Sequence, residues 1–127
     1  MTKTAAKIFG AAFLLAGILG FVPAAAPNGM LLGLLHVNPA HNVVHLLTGA
    51  IALCVGLASS SASRLFFRIF GVVYAIVAVL GFVYGNEPIL GLIANNIPDA
   101  WFHLIVAATS LFLGFAPTAA TVAAPAR

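Results

Sequence analysis

The sequence predicts an all-α membrane protein, a four-helix transmembrane bundle built from two tandem helical hairpins. Three observations predict it. First, 63% of the 127 residues are hydrophobic and only 6% are charged, against about 25% charged in an average soluble domain. Disorder is excluded by the same figures, because it needs low hydrophobicity and high charge. Second, four apolar stretches run at about residues 6–23, 41–58, 66–84 and 100–117, each near the ~20 residues that carry a helix across a bilayer. Within hydrocarbon the backbone must pair with itself, so these stretches read as helices.

Third, the chain repeats itself. Residues 7–22, KIFGAAFLLAGILGFV, match residues 68–83, RIFGVVYAIVAVLGFV, at an offset of 61 with seven identities. Three residues shorter, at an offset of 58, Leu32-Gly33-Leu34 matches Leu90-Gly91-Leu92, Asn38 matches Asn96, and His45-Leu46 matches His103-Leu104. The single transmembrane domain, 1–127, therefore divides into repeats at about 7–58 and 66–117, followed by a flexible cytoplasmic tail at 118–127. Two copies of one hairpin share an orientation and are related by a pseudo-two-fold axis along the membrane normal.

The first stretch carries some marks of a signal peptide: Lys3, Lys7, an apolar run and then Ala24-Ala25-Ala26. Pro27 directly after the alanines makes a poor cleavage site, and the repeat pairs this stretch with the third, so it reads as helix 1. The basic residues set the orientation. Lys3, Lys7, Arg64, Arg68 and Arg127 all fall on one side of four spans, which puts both termini in the cytoplasm. The expected location is the plasma or inner membrane of a cell. Between the spans, on the outer side, lie two apolar links, 27–35 and 87–93, expected as short interfacial helices or re-entrant segments that cap the bundle.

Helical periodicity assigns the faces. His41, His45, Thr48, Gly49, Ala52 and Gly56 share one face of helix 2. Asp99, His103, Ala107, Ser110 and Gly114 share one face of helix 4. Membrane helices pack through small and polar residues, so these faces point inward, as do Gly10, Gly17 and Gly20 of helix 1 and Gly71, Ala78 and Gly81 of helix 3. Tyr74 belongs to the core, and Cys54 faces lipid as an inert apolar residue.

The repeat aligns His41 with Asp99 and His45 with His103, each pair one helical turn apart. Should helices 2 and 4 face one another, three imidazoles and a carboxylate converge, a donor set suited to zinc or a related divalent metal. His45 and His103 alone suit the two axial positions of a haem. Asn38, Asn42 and Asn96 are supporting polar residues that orient ligands or cap helices. An equally simple account is a hydrogen-bonded cluster pinning the hairpins together. No catalytic constellation is expected: there is no Ser-His-Asp order, no glycine-rich phosphate loop and no Cys-x-x-Cys. The scattered basic residues do not form a nucleic-acid surface.

The segments NPAHNVVHLLTG (Asn38 to Gly49) and IPDAWFHL (Ile97 to Leu104), with the RIFGVVY start of helix 3, resemble a bacterial domain-of-unknown-function family of small four-span membrane proteins. The resemblance implies the fold and the membrane location over roughly residues 7–117, and no activity. Ala100 stands where the family pattern leads one to expect asparagine. Three non-enzymatic roles fit: an outer-face polar site binding a divalent metal or haem, an accessory or scaffold subunit of a larger membrane complex, and a small transporter acting as a homo-oligomer.

Overall fold

The computed structural model describes residues 1–117, and four helices account for most of them. They are α1 (Thr2–Leu19), α2 (Pro39–Ala58), α3 (Ser60–Tyr84) and α4 (Ile97–Phe115). All four are long and apolar enough to cross a membrane; the protein is a multi-span membrane bundle. The expected tail at 118–127 lies outside the described residues.

The boundaries follow local chemistry. α1 stops at Leu19, four residues before the expected end, because Pro23 cannot continue a helix. α2 and α4 both start early, each with a proline in the first turn and an asparagine N-cap: Asn38 Oδ1 accepts from His41 N–H, and Asn96 Oδ1 accepts from Asp99 N–H. α3 starts at Ser60, because Ser59 Oγ accepts the Ala62 N–H as N-cap. Ser60 and Ser61 are already helix, and Ser59 alone turns the chain between α2 and α3.

The two apolar links are not helices. Apart from a single 3₁₀ turn at Pro27–Gly29, the first is a miniature hairpin, β1 (Met30–Leu31) against β2 (Leu35–His36). The second narrows to one antiparallel bridge, Ile89 to Ile93. Each turns through a leucine–glycine pair with positive φ, Leu32-Gly33 and Leu90-Gly91. This is the left-handed backbone of a tight hairpin turn, which favours glycine at one position and strains a leucine at the other.

α1 packs along α2 and α3 packs along α4, and between hairpins the main packing is α2 and α1 against α3. Small residues let the paired backbones meet. A β-carbon on Gly49 would stand 2.6 Å from Leu14 N, and one on Gly71 would stand 2.9 Å from Leu111 N. The buried face of α4 is Asp99, Ala100, His103, Ala107, Ser110 and Gly114; that of α2 is His41, Asn42, His45, Gly49, Ala52 and Gly56. The outward leucines, isoleucines and phenylalanines, with Trp101 and Cys54, are exposed for lipid. Phe9, Phe13, Phe67, Phe70 and Tyr74 interlock edge-to-face or tilted between α1 and α3 and form the seam of the two hairpins.

The two ends differ in chemistry. At one end, Arg64 Nη2 donates to Ala116 O (2.7 Å), and Arg68 Nε donates to Gly114 O (2.8 Å) while its guanidinium covers the Phe115 ring. These cations satisfy the orphan carbonyls at the end of α4. Lys7 packs on Gly56 at the same end. The opposite end, which carries both links, holds the histidines.

Candidate metal centre

His41 sits in the first turn of α2, held there by the Asn38 cap, and His45 lies one turn deeper. His103 lies one turn deeper than Asp99 in α4. All three imidazoles are at least nine-tenths buried. Their rings converge across the two helices: centroids are 4.4 Å apart for His41 and His45, and 5.9 Å for His41 and His103. One ring nitrogen from each of the three lies within 4.8 Å of the others. The edges of Phe13 and Tyr74 close the cluster, 5.3 Å from His45 and 5.4 Å from His103.

Hydrogen bonds assign the protons. His41 Nδ1 is 3.1 Å from the His36 carbonyl, which can only accept, so Nδ1 carries the hydrogen and Nε2 a lone pair. His41 Nε2 is 3.1 Å from His45 Nε2. With no ion present, His45 Nε2–H donates to it and His45 Nδ1 is left as a bare lone pair. Among the described residues, His45 Nδ1 and His103 Nδ1 are both buried without a partner. A buried polar atom left so costs about 1–3 kcal/mol.

Asp99 has a different occupation from the one the repeat suggests. Its Oδ2 accepts from Asn96 N–H (3.1 Å), which completes a capping box with the Asn96 side chain, and from His36 N–H (3.0 Å). The convergent group is His41, His45 and His103. Asp99 stands one turn above His103 and secures the strand that orients His41.

The expected supporting residues split in the same way. Asn38 and Asn96 cap their helices through Oδ1 and tie the hairpins together through Nδ2. Asn38 Nδ2 donates to Leu92 O (2.8 Å), and Asn96 Nδ2 donates to Leu34 O (2.9 Å). The two bonds are reciprocal, since Leu34 and Leu92 are equivalent in the repeat. Asn42 is buried where α1 ends; a β-carbon on Gly20 would fall on its amide. Its counterpart is Ala100, and the missing amide is supplied by Asn95, whose Nδ2 donates to Gly81 O (3.0 Å) and Gly85 O (2.6 Å).

Sequence reasoning passed over Asn95 and the backbone of His36. Asn95 falls outside the helical periodicity. His36 acts through its N–H and C=O, which no residue pattern reports.

The family described as Domain of unknown function (DUF4383) matches residues 3–116, and the chain belongs to that family. No curated protein and no solved structure matches the chain.

Proposed function

We propose that this member of the DUF4383 family is a small multi-pass membrane protein that holds a divalent transition-metal ion through His41, His45 and His103. The observation that carries the proposal is the convergence of three buried imidazoles with one ring nitrogen each within 4.8 Å of the others. Neutral imidazole is a general ligand for zinc, copper and nickel. A tetrahedral ion with bonds of about 2.0–2.1 Å sets its ligand nitrogens about 3.3 Å apart. The His41–His45 pair, at 3.1 Å, already stands close to that edge. The His41 Nδ1–H bond to the His36 carbonyl is the kind of outer contact that fixes a metal-binding ring. Three protein ligands leave a fourth position for water or a ligand, as in zinc sites that are not purely structural.

The geometry favours an ion over haem. A porphyrin plane between His45 and His103 would have to share space with the His41 ring, which contacts both. The basic end is read as cytoplasmic, which puts the histidines toward the outer face.

The test is the metal content of untagged protein purified in mild detergent, followed by titration with zinc and with cobalt(II). About one ion per chain is expected, with the absorption of a tetrahedral cobalt site. His45→Ala and His103→Ala should each lose the ion while the protein keeps its helical circular dichroism. A preparation that is metal-free and takes up neither ion would overturn the proposal, as would two alanine variants that keep full occupancy.

A further inference from the structure

The repeat aligns Lys3 with Arg64 and Lys7 with Arg68. All four stand at the end of the bundle away from both acidic residues, Glu87 and Asp99. Exposure matches pair by pair: Lys3 and Arg64 are partly exposed, and Lys7 and Arg68 are exposed. The stems match as well. A β-carbon on Gly56 would stand 2.9 Å from Lys7 Cγ, and one on the equivalent Gly114 would stand 2.8 Å from Arg68 Cγ. The heads do not match. Arg64 and Arg68 donate to the Ala116 and Gly114 carbonyls at the end of α4, and these are the hydrogen bonds that basic side chains make among the described residues. At the end of α2 the chain runs on into α3, and Ser63 Oγ meets the carbonyls of Val55 (3.0 Å) and Ser59 (2.8 Å) instead. Lys3 and Lys7 are therefore left, among the described residues, as two ammonium groups one helical turn apart with no bonded partner.

Two cations about 6 Å apart along a helix suit one anion that lies across both, and an ammonium binds phosphate as a point charge. The surroundings select the source of that phosphate. The pair stands in the first two turns of a helix long and apolar enough to span a membrane, at the level where headgroup phosphates lie, and basic residues at that level are drawn to anionic lipid. The same face of α1 continues inward as Ala11, Leu15 and Ile18, all exposed. An anion held by the lysines thus has an apolar wall directly beneath it, which a soluble phosphate would leave unused. We propose that Lys3 and Lys7 bind one anionic phospholipid, the headgroup phosphate meeting both ammonium groups and an acyl chain lying along Ala11, Leu15 and Ile18.

The site uses none of the histidines, so it stands or falls separately from the metal centre. The full chain in a neutral detergent is titrated with dioleoyl phosphatidylglycerol or dioleoyl phosphatidylcholine, and bound lipids are counted by native mass spectrometry. One phosphatidylglycerol per chain is expected, held at least tenfold more tightly than phosphatidylcholine. Lys3→Gln and Lys7→Gln should each weaken it about fivefold, the worth of one basic residue at an anionic surface, and the double variant about 25-fold. Both lysines have room in water, and unchanged helical circular dichroism checks that the variants are folded. Lys7→Arg should restore binding to within about twofold. Arg68→Gln should lower resistance to sodium dodecyl sulfate and leave phosphatidylglycerol binding within about twofold. Equal binding of the two lipids would overturn the inference, as would full binding by the double lysine variant. A loss in Arg68→Gln equal to that in Lys7→Gln would also overturn it, since the attraction would then belong to the whole basic end. So would displacement of the lipid by an equal concentration of inorganic phosphate, which would assign the lysines to a soluble anion.

Discussion

The two hairpins share one plan and spend it differently. Both begin with a basic residue (Lys7, Arg68), cap the second helix with an asparagine (Asn38, Asn96) and place a histidine two turns past the cap (His45, His103). Between cap and histidine they diverge. The first hairpin places His41 where the second places Asp99, and Asn42 where the second places Ala100. The first hairpin therefore contributes two imidazoles to the cluster and the second contributes one. The Asp99 carboxylate is spent on the helix cap and on His36, the residue whose carbonyl orients His41. The lesson is that near-identical frames keep their backbone contacts and vary the polar groups at one end, where the interior is polar enough to tolerate it.

The difference can be broken first at the helix contacts. Gly49 is matched by Ala107, so one hairpin carries a β-carbon where the other has none. Gly49→Ala should cost about 3 kcal/mol, the upper range for overpacking, because its β-carbon meets Leu14 N at 2.6 Å. Ala107→Gly should cost about 1 kcal/mol, the intrinsic penalty of glycine in a helix. Denaturation of the refolded protein by sodium dodecyl sulfate, followed by circular dichroism, measures both.

The reciprocal asparagines come next. Asn38→Ala and Asn96→Ala each remove a cap worth about 1 kcal/mol and an inter-hairpin hydrogen bond worth about the same. Each should cost about 2 kcal/mol in the same assay. The double variant should depart from additivity, since both bonds close one junction.

A smaller effect separates the two buried amides. Asn95→Ala removes bonds to Gly81 O and Gly85 O and should cost about 1.5 kcal/mol. Asn42→Ala places in the first hairpin the residue the second already has. It should cost under about 1 kcal/mol, because Asn42 Oδ1 has no partner to lose. A larger loss at Asn42 than at Asn95 would reverse the comparison.

An effect as small is the most diagnostic for the site. Asp99→Asn keeps an acceptor for the cap but loses the charge, at about 1 kcal/mol. Zinc stoichiometry should be unchanged, because the proposed ion rests on the three imidazoles. Loss of zinc with the fold intact would return Asp99 to the ligand set.

Much of the fold was legible in the residues, and for a specific reason. In a bilayer the alternation of small and large residues on each helix is nearly a map of protein against lipid. Hence the inward faces of α2 and α4 read directly from Gly49, Ala52, Gly56, Ala107, Ser110 and Gly114. Asn42 and Ala100 escaped that map because they lie beside the stripe, at the helix starts, where α1 and α3 lean in. The link structure escaped it for another reason. Leu32 and Leu90 occupy left-handed backbone that leucine disfavours, and tertiary closure of the hairpin overrides the propensity that pointed to helix.

By itself, the sequence determined the four spans, the duplicated hairpin, the inward faces and the i, i+4 pairing of His41 with His45. These follow from local periodicity and from the bilayer's demand that backbone be paired and apolar residues face out. Only the tertiary structure decided which polar groups meet. It joined His103 to the first hairpin's pair, withdrew Asp99 into a capping box, and set the His36 backbone between the two helix starts. Those choices depend on contacts between residues about sixty positions apart, within tenths of an ångström, and no spacing along the chain encodes them.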